Sequence, residues 1–403
     1  MRKLLIAFYT VLVCFPLEAK EIINLRQLAV YLQKNPDTKE VYIKNGVYEN
    51  INLVLTRING VKIQAEVAGK VIISGESNIN IRNSDDFEFS GFHFRETWST
   101  YLIKLERVTN SKIYNNFFDH TKGNAYSRVI GLQGRSTGNL ISHNTFDGII
   151  TMGITISADE NYNNTITKNV FRNIPSVKSV HPLSKDGNGM EVISIGTVSH
   201  WEEPMYNRHF NTTISYNYFE NIEGDNNEVI CVKANSNTIE NNFFTKNKGG
   251  VSLRFGSNNV VRDNVFYQNV QNIIIAGQGH VIEDNKIIDD KMGIQIPAGH
   301  ERNSSRRSKK FSGFYSAEDI TIRNNYIDTR DGTPLIVSRH RSSQRPYVPT
   351  NIDVSQNSFT ARKTSVLSGA NKAKSAVSNN SYRSARGLIN ENLKSTYYFG
   401  KKW

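Results

Sequence analysis

Cysteine is almost missing from this sequence: its 403 residues contain only Cys14 and Cys231. A disulfide framework is therefore excluded, and so is a structural zinc site built on clustered cysteines. No HExxH spacing offers a catalytic zinc either. Long apolar runs are missing too, apart from the first nineteen residues. No later stretch is apolar enough to cross a bilayer as a helix. Acidic residues are in short supply, 37 against 49 Lys and Arg. Stability must then come from a large apolar core, which a chain of this length can bury.

The N-terminus has the layout of an export signal. Arg2 and Lys3 precede the apolar run Leu4 to Phe15, and Pro16-Leu17-Glu18-Ala19 ends it with a small residue at the expected cut. Cys14 as a lipid anchor is disfavoured by Val13, which is larger than that processing prefers. Residues 1–19 are expected to be removed, leaving a periplasmic or secreted protein. Their loss takes away two positive charges and one negative, so the formal charge falls from +12 to +11. An exported basic protein is expected to meet a polyanion. Helix-turn-helix, RNP, KH and zinc-finger signatures are missing, which argues against nucleic acid and leaves acidic polysaccharide as the expected partner. Insertion into a membrane is not expected.

Asn24 to Lys34 reads as a short amphipathic helix. Asn24 is its N-cap, and Leu25, Leu28, Ala29 and Leu32 fall at i, i+3, i+4 and i+7. The period then changes to short β-type runs such as Val41-Tyr-Ile and Ile51-Asn-Leu-Val-Leu, punctuated by Asn45-Gly46 and Asn59-Gly60. An Asn-x-Phe or Asn-x-Ile element recurs at Asn116, Asn144, Asn169, Asn217, Asn242, Asn264, Asn285, Asn325 and Asn357. The gaps are 28, 25, 48, 25, 22, 21, 40 and 32 residues. A unit of this size without helices marks a solenoid. The gaps of 48 and 40 are two units or one unit with an insertion. Phe or Ile should stack inside, with Asn at a turn that tolerates left-handed geometry and amide ladders. The expected fold is all-β: a right-handed parallel β-helix over residues 20–375, capped by the N-terminal helix. A propeller needs about twice this unit. Residues 376–403 are expected to be a basic C-terminal tail or a last partial rung. Insertions at 197–210 and 302–310, the second strongly basic, should fall on the binding face.

Unusual polar residues gather between Asn226 and Gly256. Lys233 and Arg254 are 21 residues apart, one unit, so both are expected on one outward face of adjacent rungs. Glu228 precedes Lys233 by five residues, and Asn188 and Glu191 belong to a neighbouring rung. Such a set suits β-elimination on a uronic acid. The C5 proton is weakly acidic, so its removal needs a neutral base and a cation or donor for the developing anion. A lysine beside an arginine is expected to have its pKa lowered, which makes neutral amine available.

The chain resembles polysaccharide lyase family 6, which includes alginate lyases and the dermatan-cleaving chondroitinase B. The resemblance runs from about Leu25 to Phe359. It is carried by Asn45-Gly-Val-Tyr48, Gly187 to Gly196, Glu228 to Lys233, Gly250 to Gly256 and Gly277 to Asn285. It implies Lys233 as Brønsted base and Arg254 as acid. It also implies a calcium ion that neutralises the substrate carboxylate, held by an Asn and two Glu. Asn188 and Glu228 match two of these ligands, but Asn226 stands where the other Glu is expected, which weakens the calcium site. Asn188, Glu191, Asn226, Glu228 and His280 are the candidates for meeting or neutralising the substrate carboxylate. Ser194 and Phe255 replace an Arg and a His of the family pattern. Alginate is the first expected substrate and dermatan or chondroitin the next. Two alternatives stand beside the lyase. A β-helix hydrolase needs paired carboxylates, for which Asp85-Asp86 and Asp289-Asp290 are the only adjacent Asp pairs, each better read as a turn. A glycan-binding solenoid without catalysis would keep the basic groove and tolerate loss of Lys233.

Overall fold

The recurring unit folds as one turn of a coil, and its three short strands feed three separate sheets. The computed structural model describes residues 21–157, 160–184, 187–196, 209–225, 227–300, 314–339, 341–361, 367–368 and 375–384. Among these, 14, 12 and 13 strands stack into the three sheets, each strand parallel to its counterpart one turn away. The result is a parallel β-helix, with rungs about 4.8 Å apart as in any sheet. Right-handed crossovers are the rule for such connections. Residues 1–19 and both predicted insertion loops, apart from His209 and Phe210, lie outside the described residues. No helix among the described residues is long and apolar enough to cross a membrane.

The aromatic position of each unit faces inward. Phe94, Phe118, Phe146, Phe171, Phe219, Phe244 and Phe266 form a continuous stack with ring centroids 4.5 to 5.1 Å apart. Each such contact adds about 0.5–1.5 kcal/mol beyond burial. The asparagine that opens the unit is also buried. The Asn144 Oδ1 accepts the backbone N–H of Asn116 at 3.0 Å, and its Nδ2 donates to the Ile113 carbonyl at 2.9 Å. This pattern repeats from Asn116 to Asn380, so turn backbone that water cannot reach is satisfied by amides.

One detail of the sequence reading is corrected, and one alternative that it left open is decided. The ladder asparagines are not the left-handed residues. Positive φ falls one position earlier, at Asn115, His143, Lys168, Tyr216 and Asn241 among others, with φ between 53° and 56° at these five. That one residue makes the corner and leaves the next side chain pointing inward. The 48-residue gap is one turn plus an insertion, because Asn169 donates directly to Asn217 Oδ1 at 3.0 Å. The 40-residue gap is likewise one turn, with Asn285 donating to Asn325 at 3.0 Å.

The coil is closed at its N-terminal end by a 3-10 turn, Leu25–Gln27, running into the α-helix Leu28–Lys34. The Asn24 side chain accepts from the Arg26 N–H at 2.9 Å, as an N-cap should. Leu25, Leu28 and Leu32 are buried. At the other end, strands Ser375–Ser378 and Ser381–Ser384 pair with the preceding turn, so coil structure continues past residue 375.

Candidate active site

The 12-stranded sheet carries the polar cluster on its outer face. Strand Glu228–Lys233 pairs on one side with Ile193–Ile195 and on the other with Gly250–Phe255. Ile230 and Val232 point inward against Ile193, Ile195, Val251 and Leu253, and all six are buried. The alternate residues Cys231 and Lys233 therefore point outward. Lys233 and Arg254 do lie on adjacent rungs, but not directly opposite. The register slips twice between these strands, once after Glu228 and once between Val232 and Lys233, so Lys233 pairs with Phe255. Arg254 is the extra residue at the second slip. Bulges of this kind re-aim side chains beside active sites. Gly256 closes the strand with φ +96°, where an added Cβ would sit 2.2 Å from the Ala234 carbonyl oxygen.

Two carboxylates brace the two cations. Lys233 Nζ lies 3.4 Å from Glu191 Oε1, with both side chains nine-tenths or more buried. An Arg254 guanidinium nitrogen lies 3.9 Å from Glu228 Oε2, and Ser252 Oγ donates to Glu228 Oε1 at 3.0 Å. Glu191 sits just ahead of its strand, and the register that pairs Ile193 with Ile230 sets it beside Glu228. Burial alone pulls the Lys233 ammonium pKa down, and Arg254 adds to that. The negative environment of Cys231, Glu191 and Glu228 outweighs both, and the pKa ends above its ordinary value. Burial in turn holds the Cys231 thiol well above its usual range. The expectation of a neutral lysine made by its arginine neighbour is thus corrected: two buried carboxylates are stronger than one guanidinium.

Asp225 belongs to this cluster and carries no motif that would have marked it. Burial, with Glu228 and Glu191 nearby, raises its carboxyl pKa well above normal, against the pull of hydrogen bonds from the Glu228 and Asn227 N–H groups at 2.8 and 3.1 Å. Arg345, Phe314 and His300 were also missed. The Arg254 and Arg345 guanidinium carbons lie 5.3 and 5.0 Å from the centre of the Phe314 ring. His300 Nδ1 accepts the Phe314 N–H at 3.0 Å. This second arginine is separated from the first by 91 positions, so only the coil unites them.

The remaining candidates divide. Asn188 is solvent-exposed in the loop before Glu191. Asn226 lies outside the described residues. His280 is not at the site. It is fully buried in a turn, where its Nδ1 accepts the Asn259 N–H at 3.1 Å and its other nitrogen meets the Ala276 carbonyl at 3.2 Å. It ends a second amide ladder through Asn237 and Asn259, in the place an asparagine would take. Burial pushes its pKa down to about 4, so the ring is neutral. Ser194 and Phe255 are both buried, Ser194 beside Cys231 and Phe255 edge-on to Tyr315. Asp290 is buried at the end of a third ladder, and Asp85 accepts from Thr109 and Asn110, so neither Asp pair forms a hydrolytic site.

Glu191, Glu228 and Cys231 bring one ligand atom each within 4.8 Å of one another and form a buried group able to hold a metal ion. One oxygen of each carboxylate, Glu191 Oε2 and Glu228 Oε2, is buried without a hydrogen-bond partner. Buried carboxylate oxygens left in that state fit a cation.

This fold and site define a parallel β-helix with a lysine–arginine pair braced by carboxylates on one outer face. The chondroitinase B family model matches residues 22–367, and the chain belongs to that family of polysaccharide lyases. Solved structures share the fold. A family 6 polysaccharide lyase from Pseudopedobacter saltans is 18% identical, with 95% of this chain and 97% of that one covered and a TM-score of 0.75. A mannuronic acid-specific family 6 lyase from human gut microbiota is 20% identical, with 93% and 89% covered and a TM-score of 0.72. An alginate lyase solved in complex with G6 is 18% identical, with 90% and 83% covered and a TM-score of 0.65. No curated protein sequence matches.

Proposed function

We propose that the protein cleaves a uronic acid-containing polysaccharide by β-elimination, with alginate the first candidate and a dermatan- or chondroitin-type chain the second. The observation that carries this reading is Lys233 held against Glu191 one rung from Arg254, on an outer face beside the second guanidinium of Arg345. A polymer laid along that face presents the C5–H of one uronate to Lys233. The C5–H electrons form the C4=C5 double bond, and the C4–O bond breaks. Arg254 supports the anion at the carboxylate and is placed to protonate the leaving oxygen.

Lys233 must lose its own proton before it can act. Glu191, at 3.4 Å, is positioned to take it. Substrate that seals the face deepens burial, and burial favours the neutral acid and neutral amine over the ion pair. That proton transfer belongs to the metal-free site; a calcium ion would instead be held by ionised Glu191 and Glu228, and when bound would supply positive charge for the substrate carboxylate. Secretion to the periplasm or beyond suits such a substrate, and the basic surface suits its charge.

One observation favours a second reading. The resting ammonium of Lys233 suits a glycan-binding solenoid that performs no chemistry. Ultraviolet absorbance during incubation with alginate, dermatan sulfate and polygalacturonate separates the two, because only elimination creates a conjugated unsaturated uronide. Growth of that band with one polymer, and its loss in Lys233→Ala and Arg254→Ala, is the expected result. Near-full activity in Lys233→Ala would refute the mechanism.

A further inference from the structure

The outer row that ends in the two glutamates starts with a different pair of residues. Tyr101 pairs with Arg128, and Arg128 with Met152. The offsets that join Ile154 to Ile193 and Ile193 to Ile230 place Glu191 and then Glu228 next in the same row. Arg128 is thus two rungs from Glu191 and three from Glu228, roughly 10 and 14 Å along the coil.

Tyr101 lies flat on the sheet because the residue beneath it has no side chain. A Cβ added to Gly131 would sit 2.5 Å from the Tyr101 ring. Gln133 Nε2 fixes the Tyr101 hydroxyl at 2.5 Å. The Arg128 guanidinium carbon is 4.8 Å from the ring centre, and Lys104 Nζ is 5.8 Å away. Lys104 is neutralised by Glu106 at 3.1 Å. Arg128 is different: among the described residues no carboxylate pairs with it, although it is partly buried. A guanidinium stacked on an aromatic ring is held in one orientation with its donor fork free for a planar anion.

We infer that Arg128, positioned by Tyr101, forms a remote subsite for the carboxylate of a uronate two to three rungs from the Lys233 centre. The inference rests on the uronate-lyase reading for its substrate, while its geometry stands apart from the catalytic cluster. Fixing a distant sugar helps long chains and does nothing for short ones, because only a long chain reaches both places. Held in advance by the ring, the fork loses little freedom when it binds.

The test compares kcat/KM on short and long oligouronates for the wild type, Arg128→Ala and Arg128→Lys. The wild type should favour long chains. Arg128→Ala should cut that preference about ten-fold through KM, the size expected for one charge-assisted hydrogen-bonded contact. Arg128→Lys should recover only part, since charge returns without the fork. An unchanged long-to-short ratio in a folded Arg128→Ala protein overturns the subsite. Affinity electrophoresis in gels containing alginate separates the two readings. Retardation of the wild type that weakens in Arg128→Ala, with no product from either, keeps the subsite and sinks the lyase. Equal retardation of both proteins sinks the subsite.

Discussion

His280→Asn tests whether the buried imidazole is a ladder member or a substrate contact. In the folded protein the ring stays neutral down to about pH 4, whereas the free side chain protonates near 6.5. Between these values the unfolded chain binds a proton that the folded chain refuses. The folded pKa is the lower one, so the full stability is present above about pH 6.5 and is lost as pH falls toward 4, below which the loss stops growing. A gap of this size corresponds to about 3 kcal/mol. Asparagine can keep the Asn259 N–H satisfied, as it does elsewhere in the ladder, but it cannot titrate. Urea unfolding of both proteins from pH 7.5 to 4 should therefore show the variant gaining on the wild type by about 3 kcal/mol across that window. Polysaccharide cleavage at neutral pH should be the same in both. A stability difference that stays flat with pH would refute the argument, and a large fall in kcat/KM would return His280 to the substrate.

Asp290→Asn should gain stability relative to the wild type as pH rises from 4 to 7 in the same assay. Burial raises the Asp290 pKa well above normal, so stability from the protonated form is present below the ordinary carboxylate range and lost as pH rises; the gain should shrink toward pH 4. Glu191→Gln removes the proton acceptor beside Lys233 and should lower kcat by about 100-fold or more, with the fold intact by circular dichroism; a kcat within two-fold of wild type would show that Glu191 takes no proton. Calcium binding measured by calorimetry should fall in the same variant and in Glu228→Gln, since each removes a charged oxygen ligand; equal affinity in all three proteins would place the ion elsewhere. Phe219→Ala opens a gap in the middle of the aromatic stack and should cost about 3–5 kcal/mol in urea unfolding; a cost below 1 kcal/mol would mean that the stack carries little.

Much of the coil was legible because it is periodic. Phe118 and Asn144 each repeat a role already played one unit earlier, and a repeated residue type at constant spacing needs no tertiary knowledge to be recognised. The placement of Lys233 and Arg254 on adjacent rungs came from the same arithmetic, although the bulge that pairs Lys233 with Phe255 and re-aims Arg254 leaves no mark in the spacing. Charge balance was the harder part. The pKa of Lys233 depends on Glu191, which is 42 positions away along the chain and reaches the site only through the pairing of Ile193 with Ile230. Arg345 and Asp225 were invisible for the same reason: their relevance is a matter of proximity in space, and no local pattern encodes it. His280 was misplaced because a histidine in a segment of family resemblance reads as chemistry, while its neighbours Asn237 and Asn259 show it to be a substitute amide.

The direct bond from Asn169 to Asn217 means that a separation of 48 positions counts as a single step for the coil. Length added inside that step leaves the ladder above and below untouched, so the cooperative unit that holds the molecule together is insulated from the segment that delivers Glu191. Substrate preference can then drift through insertion and deletion at little thermodynamic cost. Two such proteins could share every rung and still differ in the polymers they accept.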